Sequence, residues 1–155
     1  MGMHPDLEPL TFLVGTWHGW GHGEYPTIED FDYEEEISFI PGPGKPFLAY
    51  AQHTRNTHSG DPLHSETGYL RPSGSGRVEM VLAQPSGLVE VHTGSLEGQH
   101  LHLRSVVVEG TPTAKDVSDV ERHIEVEGDH LSYRLALAGV GHGLTTHLVA
   151  ELTRR

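Results

Sequence analysis

A chain of 155 residues is long enough to bury most of the surface its unfolded form exposes, and its complete lack of cysteine excludes disulfides, thiolate-ligated iron, iron–sulfur clusters and covalent c-type haem attachment. Its 22 Asp and Glu against 10 Lys and Arg leave a formal charge of −12 at pH 7, a field that repels nucleic-acid phosphates and anionic membranes. No window approaches the roughly 18 apolar residues of a membrane span, no basic stretch leads into an apolar one at the N-terminus, and Asp6 stands where a myristoylation signal needs Ser or Thr. The expectation is a cytoplasmic protein, one domain over residues 1–155, with no membrane or nucleic-acid partner.

Pro5 is placed to begin a short helical turn near Asp6–Phe12. Beyond it almost every apolar pattern has period two, and Gly, Pro, Ser, Asn or Asp interrupt it. Strands read near 16–25, 33–40, 46–56, 64–71, 76–84, 87–94, 99–109, 117–127, 130–138 and 145–153. Segments 56–61, 71–76 and 127–129 have the composition of hairpin connections, and 110–115 is a longer polar loop. About ten short strands joined by tight turns, with no long helix, indicate an antiparallel meander. Closing it leaves no open edge. The fold class expected is therefore all-β, an up-and-down barrel with a short N-terminal helical turn, resembling fatty-acid-binding-protein and lipocalin-like barrels. More than about eight strands leave interior room for a ligand.

Within the first strand, GTWHGWGHGEYPTI at 15–28 repeats glycine at alternate positions around Trp17 and Trp20. Glycines there mean that something comes close to the backbone, either a ligand or a sharply bent neighbouring strand. The acidic run Glu29, Asp30, Asp32, Glu34, Glu35, Glu36 reads as a solvated strand face. Val78, Met80 and Leu82 share their face with Gln84, placing one amide on an apolar interior; Leu131, Tyr133, Leu135 and Leu137 form another inward set.

Thirteen histidines are several times an ordinary share. His4, His18, His22, His53, His58, His92, His100, His102, His123, His130 and His142 sit in loops or beside polar neighbours, as surface residues do. His100 and His102 share a strand face, a spacing some metal sites use. The carboxylate and glycine pattern that follows such a pair in cupins is missing, the next acid being Glu109, so no dedicated metal site is expected there. His147, in TTHLVAELTRR, poses a conflict. Strict alternation puts Leu148, Ala150 and Leu152 on the apolar face and His147 on the other, so an inward His147 requires a bulge, for which Gly141, Gly143, Thr145 and Thr146 leave room. Without a bulge it is a rim residue.

The spacing G-x-W-x-G-x-G-x-G-x-Y-P resembles the signature of the nitrobindin family, small β-barrels that hold haem b. PLHSETGYLRP at 62–72, VLAQPSGLVEV at 81–91, HLSYRLAL at 130–137 and the terminal TTHLVAELTRR also resemble it, so the likeness runs through nearly the whole chain in order. The resemblance implies one haem b per chain, with His147 as axial iron ligand. It places Leu63, His64, Gln84 and Leu137 around the haem and adds Thr27 and Lys115 as further contacts, Lys115 as a propionate partner on the long loop. Gly15, Trp17, Gly19 and Gly21 belong to the signature. Leu63 and Leu137 stand where the family often has Met, which keeps a pocket apolar but removes two polarizable thioethers. The family's activity implies isomerisation of peroxynitrite to nitrate by ferric haem, with NO as a second ligand and no catalytic residue assignable beyond the iron. A haem store or sensor without turnover, and an iron-free carrier of a small hydrophobic ligand, stay open, as do monomer and homodimer.

Overall fold

A computed structural model describes residues 2–155. A 3-10 helix, Pro5–Leu13, precedes ten strands: β1 (Gly15–Tyr25), β2 (Ile28–Pro41), β3 (Leu48–Asn56), β4 (Pro62–Gly74), β5 (Arg77–Ala83), β6 (Leu88–Glu97), β7 (His100–Gly110), β8 (Val117–Glu127), β9 (His130–Gly139) and β10 (His142–Arg154). Each pairs antiparallel with the next, and β10 returns to β1 through Trp17↔Arg154 to Gly23↔Leu148, so the sheet closes into a barrel with no open edge. Among the described residues no helix is long and apolar enough to cross a membrane.

The helix closes one end. Its Leu7, Leu10 and Leu13 are fully buried and pack with Trp17, Phe39, Leu48, Leu70, Met80, Leu101, Leu103, Leu131 and Leu152. Trp17 ties helix to barrel: its indole Nε1 donates to the Leu13 carbonyl at 2.9 Å, and the Arg154 guanidinium lies 4.2 Å over its ring. Burial of this cluster supplies the fold's principal drive, at roughly 25 cal/mol per Å² of apolar surface.

The glycines of β1 make room for protein. A Cβ on Gly19 would sit 2.0 Å from the Glu151 carbonyl oxygen of β10, and on Gly21 and Gly23 it would sit 2.3 and 2.2 Å from the rings of Tyr33 and Phe31 on β2. Neighbouring backbone and inward aromatic rings therefore occupy the space that the sequence left to ligand or strand. Gly15 and Trp17 likewise lie at the closed end, with Arg154 against both.

Two readings of side-chain direction are corrected. The acidic run is not wholly solvated, because Glu35 alternates with Tyr33, Ile37 and Phe39 on the inner face and is 2% exposed. Its outer neighbours take histidine partners instead, Glu34 with His18 at 2.6 Å and Asp32 with His22 at 2.8 Å. His92, expected at the surface, is wholly buried, since it follows Leu88 and Glu90 on the inner face of β6.

Candidate functional site

The barrel end opposite the helix opens into a cavity of about 350 Å³, within the range of pockets that hold a small organic ligand. Its apolar wall comes from Ile28, Phe31, Leu63, Leu88, Val117, Val120, Leu135, Leu137 and Leu148, and His147 stands among them. His64, Gln84 and Lys115 complete the rim and flank, so of the expected haem contacts Leu63, His64, Gln84, Lys115, Leu137 and His147 all converge on this cavity. Thr27 does not line it. It is exposed in the β1–β2 turn, one residue before the lining Ile28.

A bulge turns His147 toward the pocket. The β10–β9 register steps from Thr146↔Ala136 to Leu148↔Leu135, leaving His147 as the unpaired extra residue, so both it and Leu148 face the cavity. Its Nδ1 lies 2.8 Å from the Glu24 carbonyl oxygen. A carbonyl can only accept, so Nδ1 carries the proton and Nε2 is left with its lone pair. No described residue hydrogen-bonds to Nε2. Burial pushes the His147 pKa down, the Glu24 hydrogen bond opposing and the charges of His64 and Lys115 assisting, so the ring is neutral at pH 7. Tyr25 and Phe31 pack edge-on against it at 5.7 and 6.3 Å between centroids. Tyr25 is itself pinned across the barrel, its hydroxyl donating to the Gly139 carbonyl at 2.9 Å. An oriented neutral imidazole with a bare nitrogen beside an apolar slot fits the axial ligand of a haem.

The cavity floor is not apolar, contrary to the apolar pocket expected from Leu63 and Leu137. Arg122 donates to Glu66 Oε2 at 2.7 Å and to Glu90 Oε1 at 3.0 Å. Tyr50 adds a hydrogen bond to Glu66 at 2.8 Å, and His92 lies 2.7 Å from Glu90. Burial is the largest single influence and would raise both carboxyls, but Arg122 together with His64 at Glu66, and with His92 at Glu90, outweighs it, and both stay below the usual carboxylate range. These anions engage the two expected polar contacts. The His64 Nε2 lies 3.1 Å from Glu66 Oε1, and Gln84 donates its amide to Glu90. Since an ionised carboxylate only accepts, His64 presents its Nε2 proton to Glu66 and not to the cavity.

Beneath this floor lies a second, smaller space of about 30 Å³, enough for a water or two. Glu35, Gln52 and Tyr133 border it, with Gln52 and Tyr133 each donating to Glu35 at 2.7 Å and Tyr33 2.7 Å from the Tyr133 hydroxyl. Arg122, Glu66 and Glu90 escaped the sequence reading, as did the joining of Glu35 to the inward Tyr133, because their partners lie far apart in the chain. The available signal was strand phase, which runs inward through Leu88, Glu90 and His92 and through Tyr33, Glu35 and Ile37.

The chain resembles known proteins along nearly its whole length. The model of the THAP4-like, heme-binding beta-barrel domain matches residues 6–154. Peroxynitrite isomerase 2 of Mycobacterium ulcerans is 48% identical, covering 99% of this chain and 97% of its own, and the peroxynitrite isomerase of Nocardia farcinica is 47% identical over 99% and 94%. The crystal structure of Rv2717c from M. tuberculosis superposes with a TM-score of 0.92 at 44% identity, covering 99% of both chains. The S-type phycobiliprotein lyase CPES from Guillardia theta shares the fold alone, with a TM-score of 0.65 at 10% identity. With the match running the length of the barrel, this chain belongs to the THAP4-like haem-binding β-barrel family, as its nitrobindin-like motifs implied.

Proposed function

We propose that the protein is a haem-dependent peroxynitrite isomerase, converting peroxynitrite to nitrate on one haem b held at the barrel mouth with His147 as its axial ligand. The observation that carries the reading is the His147 imidazole: bulged inward, neutral, and tied through Nδ1 to Glu24 so that Nε2 alone is free. Near-half identity with named peroxynitrite isomerases over essentially the full length supports the activity.

Haem b, when bound, supplies a ferric iron that acts as Lewis acid toward a peroxynitrite oxygen. The residues do the rest. His147 would hold the iron through Nε2, and its hydrogen bond to Glu24 orients the ring and would make that nitrogen a better donor. Leu63, Leu137, Leu88 and Val120 exclude water from the slot. Lys115, exposed at the rim, offers a cation to an anionic edge of the ligand. The Glu66–Arg122–Glu90 triad keeps His64 and Gln84 in place from below. Nitric oxide is proposed as a second small ligand of the same pocket.

Hemin titration followed by stopped-flow kinetics tests the proposal. One equivalent of hemin should give a Soret band characteristic of histidine ligation, and His147→Ala should abolish or strongly shift it while His64→Ala leaves axial ligation intact. The loaded protein should then accelerate decay of excess peroxynitrite in proportion to haem and raise the nitrate share of products. Consumption that ends after one equivalent per haem would mark a store, and no Soret band at all would mark an iron-free carrier.

A further inference from the structure

On the outer wall of the barrel, β7 and β8 are paired over only five rungs, His100↔Glu125 to Arg104↔Glu121, although each strand has 11 residues. Toward the mouth their backbones part and side chains join them. Ser105 Oγ donates to Asp119 at 3.0 Å and accepts from the Val120 N–H at 2.9 Å, while Arg104 Nε donates to Asp119 at 3.0 Å. Because Leu101, Leu103 and Arg122 point inward and are buried, strand alternation puts His100, His102, Arg104, Glu121 and His123 on the outer face of this seam. The sequence showed only the His100 and His102 pair, with no acid before Glu109; the neighbouring strand supplies the carboxylate.

We propose that His102, Glu121 and His123 form a zinc-binding site that clips β7 to β8. One ligand atom from each lies within 4.8 Å of the other two. Glu121 Oε2 is 2.9 Å from His102 Nε2 and its Oε1 is 3.8 Å from His123 Nε2, so the carboxylate already spans both imidazoles. The two rings stack in parallel, 4.2 Å between centroids and 8° between planes, with both Nε2 atoms toward the same carboxylate, so a shared cation requires one of these surface rings to turn about its Cβ–Cγ bond until both nitrogen lone pairs meet at one point. Two nitrogens and one carboxylate oxygen suit zinc, with the fourth tetrahedral position left to water.

An independent feature points to ligation. His100 Nε2 lies 3.2 Å from His123 Nδ1, so the nitrogen of His123 not facing Glu121 is held by an outer partner. That is the arrangement by which metal-binding imidazoles are oriented. Arg104 comes within 3.8 Å of Glu121 but has Asp119 as its own partner. His22, Glu24 and Asp30 also bring one ligand atom each within 4.8 Å of one another. There, however, both ring nitrogens of His22 are taken by carboxylates, at 2.8 Å to Asp32 and 3.4 Å to Asp30, which raise its pKa and favour the imidazolium.

Calorimetric titration of the full chain with zinc chloride in a chelator-free buffer near neutral pH tests the site, with and without hemin in the pocket. One zinc per chain should bind in both cases. His102→Ala and His123→Ala should each abolish saturable binding, and His100→Ala should weaken it by roughly tenfold, as the loss of an outer partner does. His22→Ala should leave binding unchanged. Zinc should also raise the thermal midpoint of the unsubstituted protein and not that of His123→Ala, because only ligation across the seam couples the cation to folding. All these residues lie on the surface, and circular dichroism verifies each variant's fold. Three results would overturn the proposal: no saturable binding, several weak equivalent sites indifferent to His102→Ala and His123→Ala, or loss of the site on His22→Ala.

Discussion

Glu35 is the residue whose environment departs furthest from what its chemistry prefers. Burial pushes its pKa up to about 7 from an ordinary 4.5, against the hydrogen bonds from Gln52 and Tyr133. A group whose folded pKa is raised contributes stability that is fully present below its unfolded value and is lost as pH rises through the folded value. For Glu35 that window runs from about pH 4.5 to 7, and the difference is worth about 3 kcal/mol. His147, with its lowered pKa, contributes in the opposite sense, stability lost as pH falls below the ordinary histidine value, so the unsubstituted protein shows only a sum. Glu35→Gln isolates the contribution of Glu35. Gln52 Oε1 is buried without a partner, so a flipped Gln52 amide can accept from the new side chain. The variant should gain roughly 3 kcal/mol on the parent between pH 4.5 and 7.5 by denaturant melts, and a pH-independent difference would refute the buried-acid account. The inward phase of Glu35 was legible from Ile37 and Phe39, two and four residues on. A run of acids reads as solvated only until its alternation is counted.

At the scale of elements, the strands were legible and their irregularities partly so. Period-two patterning and turn residues located all ten strands, because a half-buried sheet face imposes alternation on the chain. The β10 bulge was legible too, as a conflict between an inward His147 and an inward Leu148, and the register skip between Thr146 and Leu148 resolves it. What the glycines of β1 approach was not legible, since Tyr33, Phe31 and Glu151 reach them only through the closed sheet. Gly19 is the strictest of the three. Its absent Cβ would meet backbone, 2.0 Å from the Glu151 carbonyl oxygen and 2.6 Å from the Leu152 Cα, and backbone in a closed ladder cannot swing aside as a ring can. Gly19→Ala should therefore destabilise the fold by about 3 kcal/mol, near the upper end for overpacking, lowering the denaturant midpoint with an unchanged slope. A loss under ~1 kcal/mol would show that β1 and β10 can separate at this rung without cost.

The whole molecule is three layers stacked along the barrel axis: an apolar plug under the helix, a polar belt of Glu35, Gln52, Glu66, Glu90, Tyr133 and Arg122, and the open mouth. The belt was the least legible layer, since Arg122 meets Glu66 across 56 positions of sequence and Glu90 across 32, and no local pattern encodes such pairing. The plug buries its residues among themselves and holds the barrel closed whether or not the mouth is filled. At the mouth, Phe31, Leu137, Leu148 and His147 are only partly buried and turn their faces to the cavity, so ligand binding adds contacts there that no part of the protein makes for itself. A ligand that binds only the folded state stabilises it by about 2.7 kcal/mol at a hundredfold excess over its dissociation constant. For a chain of this length each kcal/mol moves the thermal midpoint by about 2–4 °C. Saturating hemin should thus raise the midpoint by ~5–10 °C, followed by circular dichroism, with a smaller rise for His147→Ala. Amide exchange should add local protection at the start of β10, the end of β9 and Val117–Val120, and none beyond the global term around the helix, where the plug is already complete. A midpoint unmoved by saturating hemin would mean that the mouth recognises something other than haem, because a pocket so built cannot bind its ligand without stabilising the barrel that forms it.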